Sequence, residues 1–265
     1  MAGLRRALYR LAASEALGTA LSPWRGRAAI LMYHHVLPDG QRPPANYDPS
    51  LWISASHLAE HLRFISKHFA YVSMDDLPAH LASGQGFRVA VTFDDGYRDN
   101  LENGLAVLEA VSAPATIYVA SRFPEGDCRL WWLELVELLN TLPRLELTWR
   151  GQAHAWTLDS AEARTAARKD LRSMLLDGLD SAAQEELMAA IRQDREPMSF
   201  PEMFLTWDEL RRLAAHPLVT LGGHTHSHAN LAALTPEAAC AEMDHCAALM
   251  REKLGLTPRH FAYPY

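Results

Sequence analysis

Arg88-Val89-Ala90-Val91-Thr92-Phe93-Asp94-Asp95-Gly96 reads as a buried strand that runs straight into two carboxylates and a glycine. Adjacent aspartates repel each other, and partial burial adds a desolvation cost. A divalent cation is the commonest thing that offsets such a cost. Taken alone, Asp-Asp-Gly is more often simply a turn. A second stretch changes the balance. Gly222-Gly223-His224-Thr225-His226-Ser227-His228 follows another apolar run, Leu218-Val219-Thr220-Leu221.

The intervening chain alternates strand and helix patterns. Ala28–Tyr33, Phe69–Val72, Phe87–Phe93, Ala115–Val119, Leu218–Leu221 and Arg259–Tyr263 read as strands. Helical spacing covers Ser54–His68, Leu77–Leu81 with Asp75 or Asp76 as cap, and Leu101–Val111. Thr206 and Glu209 form a capping box, and Thr235 opens a helix reaching about Leu254. This order implies an α/β fold with a mostly parallel sheet or barrel.

Residues 129–205 break the rhythm and read as an insertion. It holds a helix starting at Trp131-Trp132, a hairpin turning at Arg150-Gly151-Gln152, and two charged helices over 160–178 and 180–193. A lid or packing element is the plain reading of this segment, and shaping the substrate site is the sharper one. Its tryptophans suit either a core or sugar stacking. Residues 1–27 read as a helical leader, and 28–265 as the main domain.

Composition excludes several classes. The 265 residues carry a net charge of −7 and no sustained basic stripe, which argues against general nucleic-acid binding. Glu15 interrupts the apolar residues after Arg5 and Arg6, so an amphipathic helix is expected there rather than an export signal. No apolar run is long enough for a transmembrane helix. A cytoplasmic protein, in places close to a membrane, is the expectation. Cys128, Cys240 and Cys246 form no CxxC pair, and small buried side chains are expected for the latter two. Nothing in the sequence signals an oligomeric state.

Catalytic groups on parallel barrels lie at the C-terminal ends of strands. Asp94 and Asp95 end one strand, and the histidines follow another. His224 and His228, spaced i, i+4, can converge on one metal with a carboxylate as third ligand. The other aspartate can then take a proton from water. His226 is expected to point away. His34 and His35, after the first strand, are candidates for the same mouth, His34 for substrate binding, with plain solvation at a strand end as the equal alternative.

Together, TFDDG at 92–96 and HTxxH at 224–228 resemble the polysaccharide deacetylases of the NodB-homology type (carbohydrate esterase family 4). Ile30–His34, Thr206–Leu210 and Phe261–Tyr265 fit the same pattern, so the resemblance spans about 28–265 apart from the insertion. It implies a partial, irregular (β/α) barrel and a metal-dependent hydrolase that removes N-acetyl groups from an amino-sugar-containing saccharide. Asp94 resembles the general base. Asp95, His224 and His228 resemble the metal triad, for zinc or alternatively cobalt, nickel or manganese. Thr225 resembles the residue supporting the histidine loop, and Tyr265 the aromatic whose backbone N–H helps bind the oxyanion.

Two departures accompany the resemblance. The arginine that many members carry near the third motif is missing, and Arg259 is the nearest in sequence. The Leu-x-His motif supplying a general acid does not occur before Tyr265, so a C-terminally incomplete domain is expected. A carbohydrate-binding pseudoenzyme, an O-deacetylase and another amidohydrolase are the alternatives. Chitooligosaccharide, peptidoglycan, exopolysaccharide and lipid-linked glycan all fit as substrates.

Overall fold

A computed structural model describes residues 26–179 and 181–264. The expected leader helix and Tyr265 therefore lie outside the described residues. In chain order the elements begin with β1 (Arg27–Tyr33), β2 (His35–Leu37), β3 (Trp52–Ser54), α1 (Ala55–His68), β4 (Ala70–Tyr71) and α2 (Leu77–Ser83). Then come β5 (Phe87–Phe93), a π turn (Asn100–Gly104) leading into α3 (Leu105–Val111), and β6 (Ala115–Val119). Residues 129–205, the segment expected to be an insertion, hold α4 (Trp131–Thr141), β7 (Arg144–Trp149), β8 (Gln152–Thr157), α5 (Ala161–Leu176) and α6 (Ser181–Arg192). The chain continues through α7 (Trp207–Ala214), β9 (Val219–Gly223) and α8 (Pro236–Leu254).

Five strands form one wholly parallel sheet in the order β1-β5-β6-β9, with β4 beside the start of β5. Parallel neighbours need crossover connections, which the helices supply. β5 sits centrally because its side chains suit burial on both faces, and Val89 through Phe93 are all buried. Phe93, Ile117 and Leu221 pack with Leu58, Leu62 and Leu210 in the main core. This is the α/β architecture expected of the (β/α) barrel type, and β2-β3 and the antiparallel β7-β8 hairpin form two further small sheets.

The helix ends follow the sequence signals. The Thr206–Glu209 capping box is present in both directions, and Ser54 and Thr235 cap α1 and α8 with their side chains. Asp76 occupies the cap position of α2, but its carboxylate accepts from Ser73 Oγ in place of a helix N–H. Asp75 instead pairs with Arg259 at 2.7 Å and His260 at 2.6 Å. The expected last strand, Arg259–Tyr263, is reduced to one bridge between Gly223 and Phe261. Two backbone bonds hold it, Gly223 N–H to His260 O and Ala262 N–H to Gly223 O. Cys246 is buried as expected, whereas Cys240 is exposed. No described helix is long and apolar enough to cross a membrane.

The insertion has its own apolar core, in which Leu135, Leu139, Leu145, Leu171, Leu175 and Ile191 meet. One buried ion pair pins it. Arg192 on α6 grips Glu134 on α4 with Nε–Oε1 at 2.7 Å and Nη2–Oε2 at 3.1 Å. Glu134 also accepts from Met198 N. Removing one partner leaves the other charge buried without its main counter-charge, which costs about 3–5 kcal/mol. Arg192→Leu should therefore lower unfolding free energy by about that amount in urea titration. A loss below about 1 kcal/mol would place the pair among exposed ones.

Candidate metal and catalytic site

The ends of β5 and β9 deliver the site. Asp94 N–H donates to Tyr33 O at 2.9 Å, extending the β1–β5 ladder to the aspartate itself. Asp95 then turns into the left-handed region at φ +73°, followed by Gly96 at +73°. A Cβ on Gly96 would meet Val119 at an ordinary 3.4 Å, so it is the left-handed backbone rather than space that favours glycine. After β9, Thr225 and His228 also adopt left-handed backbone, at φ +64° and +60°. Such conformations cost on the order of 1–3 kcal/mol each and persist only where the surroundings enforce them.

The enforcing contacts are visible. His224 N–H donates to Val119 O, while Thr225 O and His226 O accept from Ser121 N–H and Arg122 N–H. From α8, Glu242 accepts from the backbone N–H groups of His226 and Ser227 and from Ser227 Oγ, all within 3.0 Å. Thr225 is wholly buried inside this loop. Gly222 allows the strand to approach Tyr118, since a Cβ there would meet the Tyr118 ring at 2.5 Å.

Three side chains converge. His224 Nε2 lies 3.2 Å and His228 Nε2 3.0 Å from the same atom, Asp95 Oδ1. All three donor atoms lie within 4.8 Å of one another. His224 Nδ1 is 3.0 Å from Ala262 O, a carbonyl that can only accept. The proton is therefore on Nδ1, and a neutral His224 turns the lone pair of Nε2 toward Asp95. Asp95 Oδ1 is buried and has no ordinary hydrogen bond. A carboxylate oxygen facing imidazole nitrogens asks for a cation among them. Tetrahedral zinc with bonds of 2.0–2.1 Å separates its ligands by about 3.3 Å. The donor set, two nitrogens and one carboxylate oxygen, thus fits a divalent metal in chemistry and in spacing.

Electrostatics separate the two aspartates. Burial alone would raise the Asp95 carboxyl, but His228 and His224 hold it well below the usual range. Asp94 is pushed up to about 6, chiefly by burial, with His224 pulling down and Asp95 pushing up. The imidazoles diverge as well. Burial pulls both down, but His224 beside both carboxylates ends raised, whereas His228 beside His224 ends lowered.

The site opens into a cleft of about 450 Å³. His34 and His35 both line it, as do Trp131 and Trp132 from the insertion. The Trp132 and His228 ring centroids are 4.6 Å apart. Burial holds the His34 imidazole below its ordinary pKa. His35 is sandwiched by Trp52 and Tyr97 and bonds Asp99 at 2.7 Å. His226 points away, toward Ser121 and a stack on His245. Arg259 pairs with Asp75 rather than Asp94, so the missing arginine has no stand-in there. Sequence reasoning missed Tyr97, a buried phenol in contact with Asp95 and Trp132. It also missed Glu242, one of four acids along α8, which nothing in the local sequence singles out.

The family model described as polysaccharide deacetylase matches residues 83–265, more than half of the chain. No curated protein matches the chain. Among solved structures, the Streptococcus pyogenes deacetylase PplD in complex with acetate is 15% identical at a TM-score of 0.54, covering 89% of this chain and 73% of its own. IcaB from Ammonifex degensii is 20% identical at a TM-score of 0.52, covering 90% and 74%. At these identities the likeness to both is one of fold.

Glu242 organises the histidine loop without touching the three donor atoms. Glu242→Ala should weaken zinc affinity about 10- to 100-fold in a chelator competition, while leaving the circular dichroism spectrum unchanged. Wild-type affinity in that variant would show that the loop holds its shape without the carboxylate.

Proposed function

The chain belongs to the polysaccharide deacetylase family, hydrolases of carbon–nitrogen bonds, and from that membership we propose a metal-dependent enzyme that removes N-acetyl groups from an amino-sugar-containing oligo- or polysaccharide. The observation that carries this reading is the convergence of His224 Nε2 and His228 Nε2 on Asp95 Oδ1 beside an unequal partner, Asp94. Asp95, His224 and His228 would hold the ion. Zinc suits two imidazoles and one carboxylate, and cobalt, nickel or manganese would also be accepted. When bound, such an ion polarises the acetyl carbonyl and acidifies water.

The remaining steps fall to side chains. Asp94 accepts a proton from the attacking water. The new C–O bond forms at the acetyl carbon, and the C–N bond then breaks. Asp94, now carrying that proton, hands it to the departing amine nitrogen, leaving acetate and a free amino sugar. Burial raises the Asp94 carboxyl and so strengthens it as a base, while a bound ion would draw it back down. Thr225 supports the histidine loop from within, and His34 lies in the cleft where the sugar would bind. Trp52, Trp131 and Trp132 supply apolar faces for the pyranose ring. Tyr265 is proposed to offer its backbone N–H to the oxyanion, as the family pattern implies.

Asp94→Asn should cut acetate release from N-acetylchitooligosaccharide by about 10²–10⁴-fold while zinc remains bound. A base must be deprotonated to work, so wild-type kcat/KM should fall with acid. Asp94 stands at about 6 without a cation beside it, and a bound ion lowers it further, placing the acid limb at or below about pH 6. Equal activity in Asp94→Asn would remove Asp94 from its role. Acetate released only from an O-acetylated analogue would convert the reading to an O-deacetylase.

A further inference from the structure

The cleft has a second chemical feature, on the wall the insertion contributes. Arg164, Arg168 and Arg172 recur every four residues along α5, a spacing that aligns them on one side of a helix. Ala167, Leu171 and Leu175 form the adjoining buried stripe. The arginine stems therefore lie at the rim of the insertion core, and Arg168 and Arg172 line the same cleft as the metal triad.

These cations are poorly neutralised. Arg168 is 13% exposed, yet its sole ion pair among the described residues is with Asp48 Oδ2 at 3.9 Å, outside hydrogen-bond range. Its Nε is buried with no hydrogen-bond partner. Arg172 makes no ion pair within the described residues. Asp48 is shared, because its Oδ1 accepts from Ser50 N at 3.0 Å and Ser50 Oγ at 2.7 Å to cap the turn at 49–51, while its charge also acts on both Arg168 and Arg172. Apart from Asp48, the carboxylates lining the cleft are Asp94 and Asp95, which belong to the reaction centre. Two guanidiniums thus face the cleft and share a single carboxylate that also caps a turn, which leaves an excess of positive charge on this wall.

A neutral sugar gives no reason for this. The tryptophans already provide ring faces, and hydroxyl groups are satisfied by uncharged partners. A partly buried guanidinium with unused N–H groups is matched by a planar or tetrahedral anion that takes two bonds at once. We infer that Arg168 and Arg172 bind an acidic group, a carboxylate or a phosphate, carried by the N-acetylated saccharide itself. The cleft thereby selects acidic glycans over neutral ones, and the insertion is the element that confers the selection. This inference rests on the deacetylase reading for the identity of the ligand as a saccharide.

Zinc-loaded enzyme in an Asp94→Asn background permits binding to be measured without turnover. The probes are triacetylchitotriose, the same trisaccharide bearing a 6-phosphate, and the same trisaccharide bearing a 6-O-carboxymethyl group. At least one acidic probe should bind about tenfold or more tighter than the neutral one at about 50 mM salt, with the advantage shrinking at about 300 mM. Arg172→Gln, at an exposed position, should reduce the acidic-to-neutral affinity ratio by about tenfold with an unchanged melting temperature. Arg168→Lys should retain part of the ratio, because it keeps the charge and loses the paired geometry. The larger gain between the phosphate and carboxymethyl arms identifies which acid the cleft takes. Equal affinity for all three probes, binding of none, or an equal loss for all three in Arg172→Gln would overturn the inference. Acetate release from the neutral trisaccharide by enzyme with Asp94 intact tests the deacetylase reading separately. Acid selectivity without acetate release would sink that reading and leave the arginine assignment standing.

Discussion

Two imidazole nitrogens aimed at one buried carboxylate oxygen form an arrangement that is unfavourable by itself. The His224 lone pair and Asp95 Oδ1 stand 3.2 Å apart, both negative in character, in a place with little water to screen them. Protonating an imidazole relieves the repulsion, and so does a cation shared by all three atoms. The first solution is costly at His228, which burial above all, and His224 to a lesser degree, holds below its ordinary pKa. A divalent ion satisfies all three atoms at once.

The backbone around the site is organised to maintain that convergence. Left-handed residues occur at Asp95, Thr225 and His228, and the last two flank a loop tied to the segment after β6 and to Glu242 on α8. Parallel strands bring β5 and β9 to the same end of the sheet with only β6 between them, so residues about 130 apart in sequence meet across one strand. The insertion then closes the other side. Its core and the Glu134–Arg192 pair hold α4 and α5 in place, which sets Trp131, Trp132 and the arginines against the cleft. Stability of the insertion is in this way a condition for the shape of the binding surface.

The sequence disclosed the strand ends and the chemistry they carry, because those signals are local. A buried apolar run before Asp-Asp-Gly, a histidine pair at i, i+4 and a capping box each depend on neighbours a few residues away. What it hid depends on distant partners. The small parallel sheet of β2 and β3 comprises three-residue strands with no periodic pattern to detect. Arg259–Tyr263 looks extended and apolar, yet it pairs at one bridge only. Asp75 looked like a helix cap and instead meets Arg259 and His260 from far along the chain. Trp131-Trp132 read more readily as core than as sugar platform, and only the position of α4 beside His228 brings them to the cleft. The arginine steps on α5 carry no local sign of the cleft, since charges every fourth residue also mark an ordinary solvated helix face.

Crystals grown with zinc and measured on both sides of the zinc absorption edge examine the metal triad directly. The expected result is one strong anomalous peak within about 2.0–2.2 Å of Asp95 Oδ1, His224 Nε2 and His228 Nε2, with Asp94 outside the coordination sphere. A cleft with no peak, or a peak coordinated by Asp94 in place of Asp95, would contradict the division of labour between the two aspartates.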